Sequence, residues 1–143
     1  MTRERRVRGT AVVEFALAAP LLLLLLAGAL DFSMALRTAT AVADAARVGA
    51  QYGSSSASKS SDTAGMQAAA LAAAPGVKGM TASAIKTCQC SNGSSVSCTG
   101  TCSIGSVEIY VQVTTKASSI TVFRYTGLPF TGAVASRAMM RAR

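Results

Sequence analysis

The chain has 143 residues, half of them hydrophobic, and its 14 basic and 6 acidic residues give a formal net charge of +8. This length suits one small domain attached to a helix. The sequence has no histidine, no paired-carboxylate pattern and no Walker or dinucleotide-binding glycine motif, which argues against an enzyme and against a bound cofactor.

The chain begins with a basic leader, residues 1–9. Its arginines and Glu4 carry a net charge of +3, so removal of the leader would leave the chain at +5. The arginines are Arg3, Arg5, Arg6 and Arg8. Arginines directly before a hydrophobic span hold that end in the cytoplasm. The later cations form no dense patch among aromatic residues, so no nucleic-acid partner is expected.

An apolar stretch from Thr10 to Leu30 follows the leader. It contains six consecutive leucines, Leu21–Leu26, and carries no formal charge from Phe15 onward. About 20 mostly apolar residues suffice to cross a hydrocarbon core. The stretch therefore predicts a transmembrane helix, in which Pro20 can be tolerated, and everything after Leu30 is expected outside the cytoplasm.

Glu14 is not explained by a plain membrane anchor, because acidic residues in membrane helices usually have a partner or a function. Counted from Gly9, Thr10 is the first residue and Glu14 the fifth, followed at once by Phe15 and the apolar run. This arrangement resembles the processing site of type IV prepilins. The resemblance implies that a prepilin peptidase cuts between Gly9 and Thr10 on the cytoplasmic side.

The wider segment from Arg8 to about Gly53 resembles the TadE-like family, which comprises minor pilins and pseudopilins of tight-adherence (Tad) systems. The likeness rests on GTAVVEF before the leucine run, with Pro20, Asp31 and Ala45-Ala46-Arg47 in register. A looser likeness covers the tail around Ala133 to Arg141. The cysteine-bearing middle of the chain carries no family signature.

This resemblance implies a structural component of a Tad-type pilus or secretion apparatus. The implied partners are the bacterial inner membrane, the prepilin peptidase, other pilins or pseudopilins and the Tad assembly machinery. Glu14 and Phe15 would serve assembly, with the Glu14 carboxylate pairing with the new α-amino group on Thr10 of a neighbouring subunit. The chain would cross the membrane once, with its N-terminus cytoplasmic and its C-terminal domain periplasmic or extracellular, and would enter a pilus.

Two other interpretations of the N-terminus stay open at this point. The basic residues, the apolar core and Ala27-Gly28-Ala29 also fit a secretory signal peptide cut after Ala29. The helix could instead be an uncleaved anchor for an extracytoplasmic adhesion or binding module.

The first helix is expected to continue beyond the membrane to about Tyr52, giving a helical region over 10–52. Its outer half has small residues at three- and four-residue steps, which permit close packing against either this protein's own core or another subunit. They are Ala35, Ala39, Ala43, Ala46 and Ala50. Asp44 and Arg47 are expected to form a surface ion pair.

A serine-rich segment, 53–62, predicts a flexible linker between this helix and an extracytoplasmic α+β domain over 63–143. A second helix is expected from Thr63 to Ala74, capped by Asp62 and ended by Pro75-Gly76. Its alanine-rich face, including Leu71, is expected to pack inward on the later part of the domain.

Strands are predicted at Met80–Thr87, Ser106–Lys116, Ile120–Tyr125 and Ala133–Met140. The second of these is the clearest, because apolar and polar residues alternate from Val107 to Thr114 with the period of a half-buried strand. Loop residues Gly127, Pro129 and Gly132 separate the last two.

Four cysteines, Cys88, Cys90, Cys98 and Cys102, lie between the strands. Outside the cytoplasm such residues are oxidised, and a small domain gains stability from crosslinks, so two disulfides are expected. The sequence does not choose among the three pairings. A structural zinc site made by the Cys-X-Cys and Cys-X3-Cys pairs is the alternative. The expected fold is α+β: a pilin-like long N-terminal transmembrane helix followed by a small antiparallel-sheet domain with a cysteine-stapled loop.

Overall fold

The computed structural model describes residues 8–118 and 132–142, with Arg8 and Gly9 described by their backbone alone. The helices are α1 (Arg8–Ser54), a short 3-10 helix (Lys59–Ser61) and α2 (Thr63–Ala73). The strands are β1 (Thr81–Cys90), β2 (Ser95–Val96), β3 (Val107–Ser118) and β4 (Ala133–Arg141). The predicted strand over 120–125 and the loop residues Gly127 and Pro129 lie outside the described residues.

Helix α1 has 47 residues and continues through Pro20. At 1.5 Å per residue it is about 70 Å long, more than twice the thickness of a hydrocarbon core. Its first half projects away from the other described residues, and Leu21–Leu26 remain 57–65% exposed. Among the described helices it is the one that is long and apolar enough to cross a membrane. Its second half packs on the sheet, where Val42 and Ala46 are fully buried.

The four strands form one antiparallel sheet in the order β2-β1-β3-β4. In its register Ala84, Val113 and Ala138 lie side by side on the face that the helices cover. The core consists of Ala50, Met66, Ala70, Ala84, Val111 and Val113. This architecture confirms the expected α+β fold with a long apolar helix and a small antiparallel sheet.

Strand β3 follows the predicted alternation. Val111 and Val113 are fully buried, and the same face continues with Thr115 and Ala117. Thr115 is polar but satisfied, because its Oγ1 donates a hydrogen bond of 2.7 Å to the backbone oxygen of Val42. This bond fixes the position of α1 along the strand direction of the sheet.

Two glycines allow α1 and α2 to approach closely. A Cβ on Gly49 would lie 2.8 Å from the backbone oxygen of Met66 and 3.0 Å from the Cβ of Ala70. A Cβ on Gly53 would overlap the Met66 sulfur. Because these glycines are four residues apart, they share one face of α1, and the fully buried Met66 side chain fills the space beside them.

Helix α2 begins as predicted and faces the core differently from the prediction. The Asp62 side chain accepts a hydrogen bond of 2.8 Å from the Gly65 amide, which confirms the predicted cap. The expectation that Leu71 packs inward is wrong, since this side chain is 42% exposed. Met66 and Ala70 are buried instead, because four residues nearly complete a helical turn and Leu71 points about 100° away from Ala70.

The serine-rich segment after α1 contains the 3-10 helix, in which Ser60 is fully buried. The Ser60 hydroxyl donates a hydrogen bond of 2.7 Å to the backbone oxygen of Ala57. Lys59 places its ammonium nitrogen 4.8 Å from the centre of the Tyr52 ring. The first contact lies within the segment, and the second joins the segment to the end of α1.

Candidate assembly surface

The candidate assembly surface lies at the start of α1. Thr10, Val13, Glu14 and Leu17 line one open groove along the helix. Their spacing of three and four residues places them on the same helical face. All four are exposed, as is Phe15 at 69%. The exposed face is therefore apolar apart from one hydroxyl and one carboxylate.

The Glu14 side chain makes no hydrogen bond or ion pair with the residues that the structure describes. Val13 and Leu17 flank it, so a carboxylate at this position would be enclosed by apolar side chains once a second helix covered the groove. A charge enclosed in that way needs a counter-charge. Val13 and Leu17 were not singled out from the sequence, although their spacing from Thr10 and Glu14 was a sufficient signal.

Both disulfides close the loop between β1 and β3. Cys88 pairs with Cys98, and Cys90 pairs with Cys102. With no free cysteine among the described residues, no thiolate is left for the zinc alternative. Cys88 and Cys90 are two residues apart in β1 and therefore point to the same, buried face of the sheet, where they are 3% and 7% exposed.

The cystine loop, residues 91–106, lies at the end of the sheet farthest from the apolar half of α1. Along α1, Val42 lies beside Thr115 and Gly53 beside Val111, so α1 and β3 run in opposite directions. The β1–β3 loop lies beyond that end, and its base is closed by a hydrogen bond of 3.2 Å from the Ser91 amide to the Ser106 oxygen. The loop carries no charged residue.

A polar cluster ties the end of α1 to the start of α2. The Tyr52 hydroxyl donates a hydrogen bond of 2.9 Å to Oδ2 of Asp62, whose Oδ1 accepts from the Gly65 amide. The Gly65 hydrogen bond, and secondly that of Tyr52, hold the pKa of Asp62 below its usual value of 3.8. The hydrogen bond to Asp62, and secondly its negative charge, raise the pKa of Tyr52 above 10.0.

Both shifts predict how stability depends on pH. The pKa of Asp62 is lower in the folded than in the unfolded protein. Its contribution to stability is therefore present above the unfolded pKa and is lost as the pH falls through the folded pKa. The pKa of Tyr52 is higher in the folded than in the unfolded protein. Its contribution to stability is therefore present below the unfolded pKa and is lost as the pH rises through the folded pKa. The cluster therefore stabilises the domain between about pH 4 and pH 10.

Asp62→Asn is expected to weaken the acid dependence of thermal unfolding while preserving the helix cap, because asparagine caps helices as well as aspartate but does not titrate. The measurement is the unfolding midpoint at about pH 6 and about pH 3. Asp44→Asn is the control, since Asp44 belongs to an exposed ion pair with Arg47 at 3.5 Å. An unchanged acid dependence in Asp62→Asn would contradict the role of this carboxylate.

A second polar cluster lies on the sheet face away from the helices. Glu108 forms an ion pair of 3.1 Å with Arg141 and accepts a hydrogen bond of 2.9 Å from the Tyr110 hydroxyl. The hydrogen bond to Glu108 is the main cause that raises the pKa of Tyr110. The cluster joins β4 to β3 and neutralises Arg141.

The described residues thus combine a long apolar helix, whose first half is free, with a small disulfide-linked antiparallel sheet. Residues 9–51 match the model of the family described as TadE-like protein. The match covers α1 up to Gln51, less than a third of the chain. The match suggests a Tad pilus-associated component, and α1 has the length and composition of a membrane-crossing helix. Comparison with curated proteins and with solved structures finds no match to this chain.

Proposed function

We propose that this protein is a minor pilin or pseudopilin of a Tad system. It inserts through the apolar half of α1 into the bacterial inner membrane, with the basic leader on the cytoplasmic side and the sheet domain outside. A prepilin peptidase then cuts between Gly9 and Thr10, and the mature subunit joins other pilins through the apolar face of its first helix.

The single observation that carries this proposal is the exposed groove of Thr10, Val13, Glu14 and Leu17, within the segment that matches the TadE-like family. Cleavage after Gly9 would create an α-amino group on Thr10, on the same helical face as Glu14. In a bundle of such helices the Glu14 carboxylate of one subunit pairs with the Thr10 amine of the next. A paired buried charge can also fix the register between two helices.

The basic leader supports the cytoplasmic placement of the N-terminus, because cations flanking a transmembrane helix stay on the cytoplasmic side. The two disulfides support an exterior sheet domain, since disulfides persist in oxidising compartments. The distal cystine loop would then lie at the end of the sheet that points away from the membrane.

N-terminal sequencing of the protein from the membrane fraction tests the proposal, and a start at Thr10 is expected. A start at Leu30 or just beyond would indicate secretory signal cleavage. An intact Met1 or Thr2 would indicate an uncleaved anchor and the alternative function, an extracytoplasmic adhesion or binding module. A matched strain without the prepilin peptidase is the control, in which the chain should keep its leader.

A further inference from the structure

The sheet domain has a defined membrane-facing end. Helix α2 runs back along α1, with Met66 beside Gly53 and Ala70 beside Gly49. The turn after α2 and the first residue of β1 therefore lie at the end from which the apolar half of α1 projects. Thr81 pairs there with Lys116 near the end of β3.

Three cations of the described residues share this end. Arg37 is on α1 between the apolar stretch and the sheet, Lys78 is in the turn after α2, and Lys116 is near the end of β3. All three are exposed. None of their side chains forms a hydrogen bond or ion pair with the residues that the structure describes. We call Arg37, Lys78 and Lys116 the basic collar.

Several other cations of the domain are engaged, whereas Arg137 on β4 is exposed and lies beside Thr114 in the sheet register. Lys59 lies over the Tyr52 ring, Lys86 donates a hydrogen bond of 3.0 Å to the Ser61 hydroxyl, and Arg141 pairs with Glu108. These contacts lie toward the far end of the sheet.

The acids do not neutralise the collar. Asp44 pairs with Arg47, while Asp62 and Glu108 belong to the two polar clusters. Even with Asp31 counted against the three cations, the described residues of the membrane-facing end carry a net positive charge.

The collar lies within electrostatic reach of lipid headgroups. Arg37 is seven residues beyond Leu30, or roughly 10 Å along the helix. Thr115 is level with Val42, which places Lys116 roughly 15 Å beyond Leu30. The headgroup layer occupies about 5–8 Å outside the hydrocarbon core, and a charge is felt over about 8 Å more at physiological salt.

We propose that the basic collar binds anionic phospholipid headgroups of the leaflet from which the sheet domain emerges, and so seats the domain on the membrane before the subunit is used. The inference rests on the membrane insertion of α1 in the proposed function and not on leader cleavage or assembly. Charge complementarity selects the partner, because unneutralised cations beside a membrane attract anionic lipids.

Amide hydrogen exchange of the full chain in lipid nanodiscs tests this contact. One set of discs contains phosphatidylcholine alone, and the other contains equal phosphatidylcholine and phosphatidylglycerol. In the second set, exchange over residues 76–80 is expected to be about fivefold slower, and Lys78→Gln with Lys116→Gln should remove most of that difference. Leader arginines do not confound the result, because the signal is read at the turn itself.

Lys59→Gln with Lys86→Gln is the matched control, since it removes the same charge from the far part of the domain and should keep the slowing. Equal exchange in both discs for the wild-type chain, or equal loss of slowing in both double variants, would overturn the collar. Exchange over residues 10–30 reports on membrane insertion. If it is slow in both discs, either of these outcomes overturns the collar and leaves membrane insertion standing. Fast exchange there would overturn the collar together with the membrane insertion on which it rests.

Discussion

Replacing Gly49 with alanine is expected to destabilise the sheet domain by about 1–3 kcal/mol, the usual cost of overpacking a well-packed core. In an ordinary helix interior the same change would stabilise by up to about 1 kcal/mol, because alanine is the better helix former. The reversal of sign follows from the added Cβ, which would lie 2.8 Å from the backbone oxygen of Met66. A backbone atom cannot rotate away as a side chain can, so α1 and α2 must separate.

The measurement is chemical or thermal unfolding of the detergent-solubilised chain with its disulfides intact. For a domain of this size a loss of 1 kcal/mol lowers the midpoint by about 4–8 °C. Gly28→Ala is the matched control on the same helix, because a Cβ there would meet nothing within 4 Å, and its midpoint should not fall. If Gly49→Ala were as stable as the wild type, the close contact of α1 and α2 would be wrong.

Local sequence chemistry was sufficient to predict much of this fold. The alternation from Val107 to Thr114 identified β3, because a strand with one buried face needs a period of two. Asp62 identified the start of α2, because its carboxylate satisfies an amide that the helix leaves unpaired. The charge-free leucine run identified the projecting half of α1 in the same direct way.

Features that depend on two distant segments were not predicted. Gly53 was expected to begin the flexible linker, whereas it lies within α1 and its missing side chain makes room for Met66, thirteen residues later. The spacing Gly49-X3-Gly53 was the available signal, since small residues four apart permit close helix packing. Leu71 was expected to face inward as part of the alanine-rich face of α2, but Met66 and Ala70 fill the face toward α1.

The disulfide pairing also needed the fold. Cys88 and Cys90 point to the same side of β1, so the pairing depends on how the loop of residues 91–106 returns to that side. The loop consists mostly of serine, threonine and glycine, so it has no repeating pattern of apolar residues from which its path could be predicted. The structure brings Cys98 to Cys88 and Cys102 to Cys90. Two disulfides therefore join the loop to the end of β1.

Glu14→Ala is expected to leave membrane insertion intact and to reduce incorporation into the pilin assembly at least tenfold. Removing one partner of a buried ion pair costs about 3–5 kcal/mol, because the other charge is left without a partner, and each 1.4 kcal/mol corresponds to tenfold in an equilibrium. Insertion should persist, because the uncharged apolar run after Glu14 is unchanged. The readouts are resistance to alkaline extraction from membranes and co-purification with the major pilin.

Three variants separate the charge from the shape of this side chain. Glu14→Gln keeps the size of the side chain without the negative charge and should fail like Glu14→Ala, whereas Glu14→Asp keeps the charge and should retain part of the assembly. Asp44→Ala removes an acid from an exposed ion pair on the same helix and should assemble normally, since surface pairs contribute little. Normal co-purification of Glu14→Gln would mean that the negative charge at this position has no role in joining subunits, even if the leader is cleaved at Gly9.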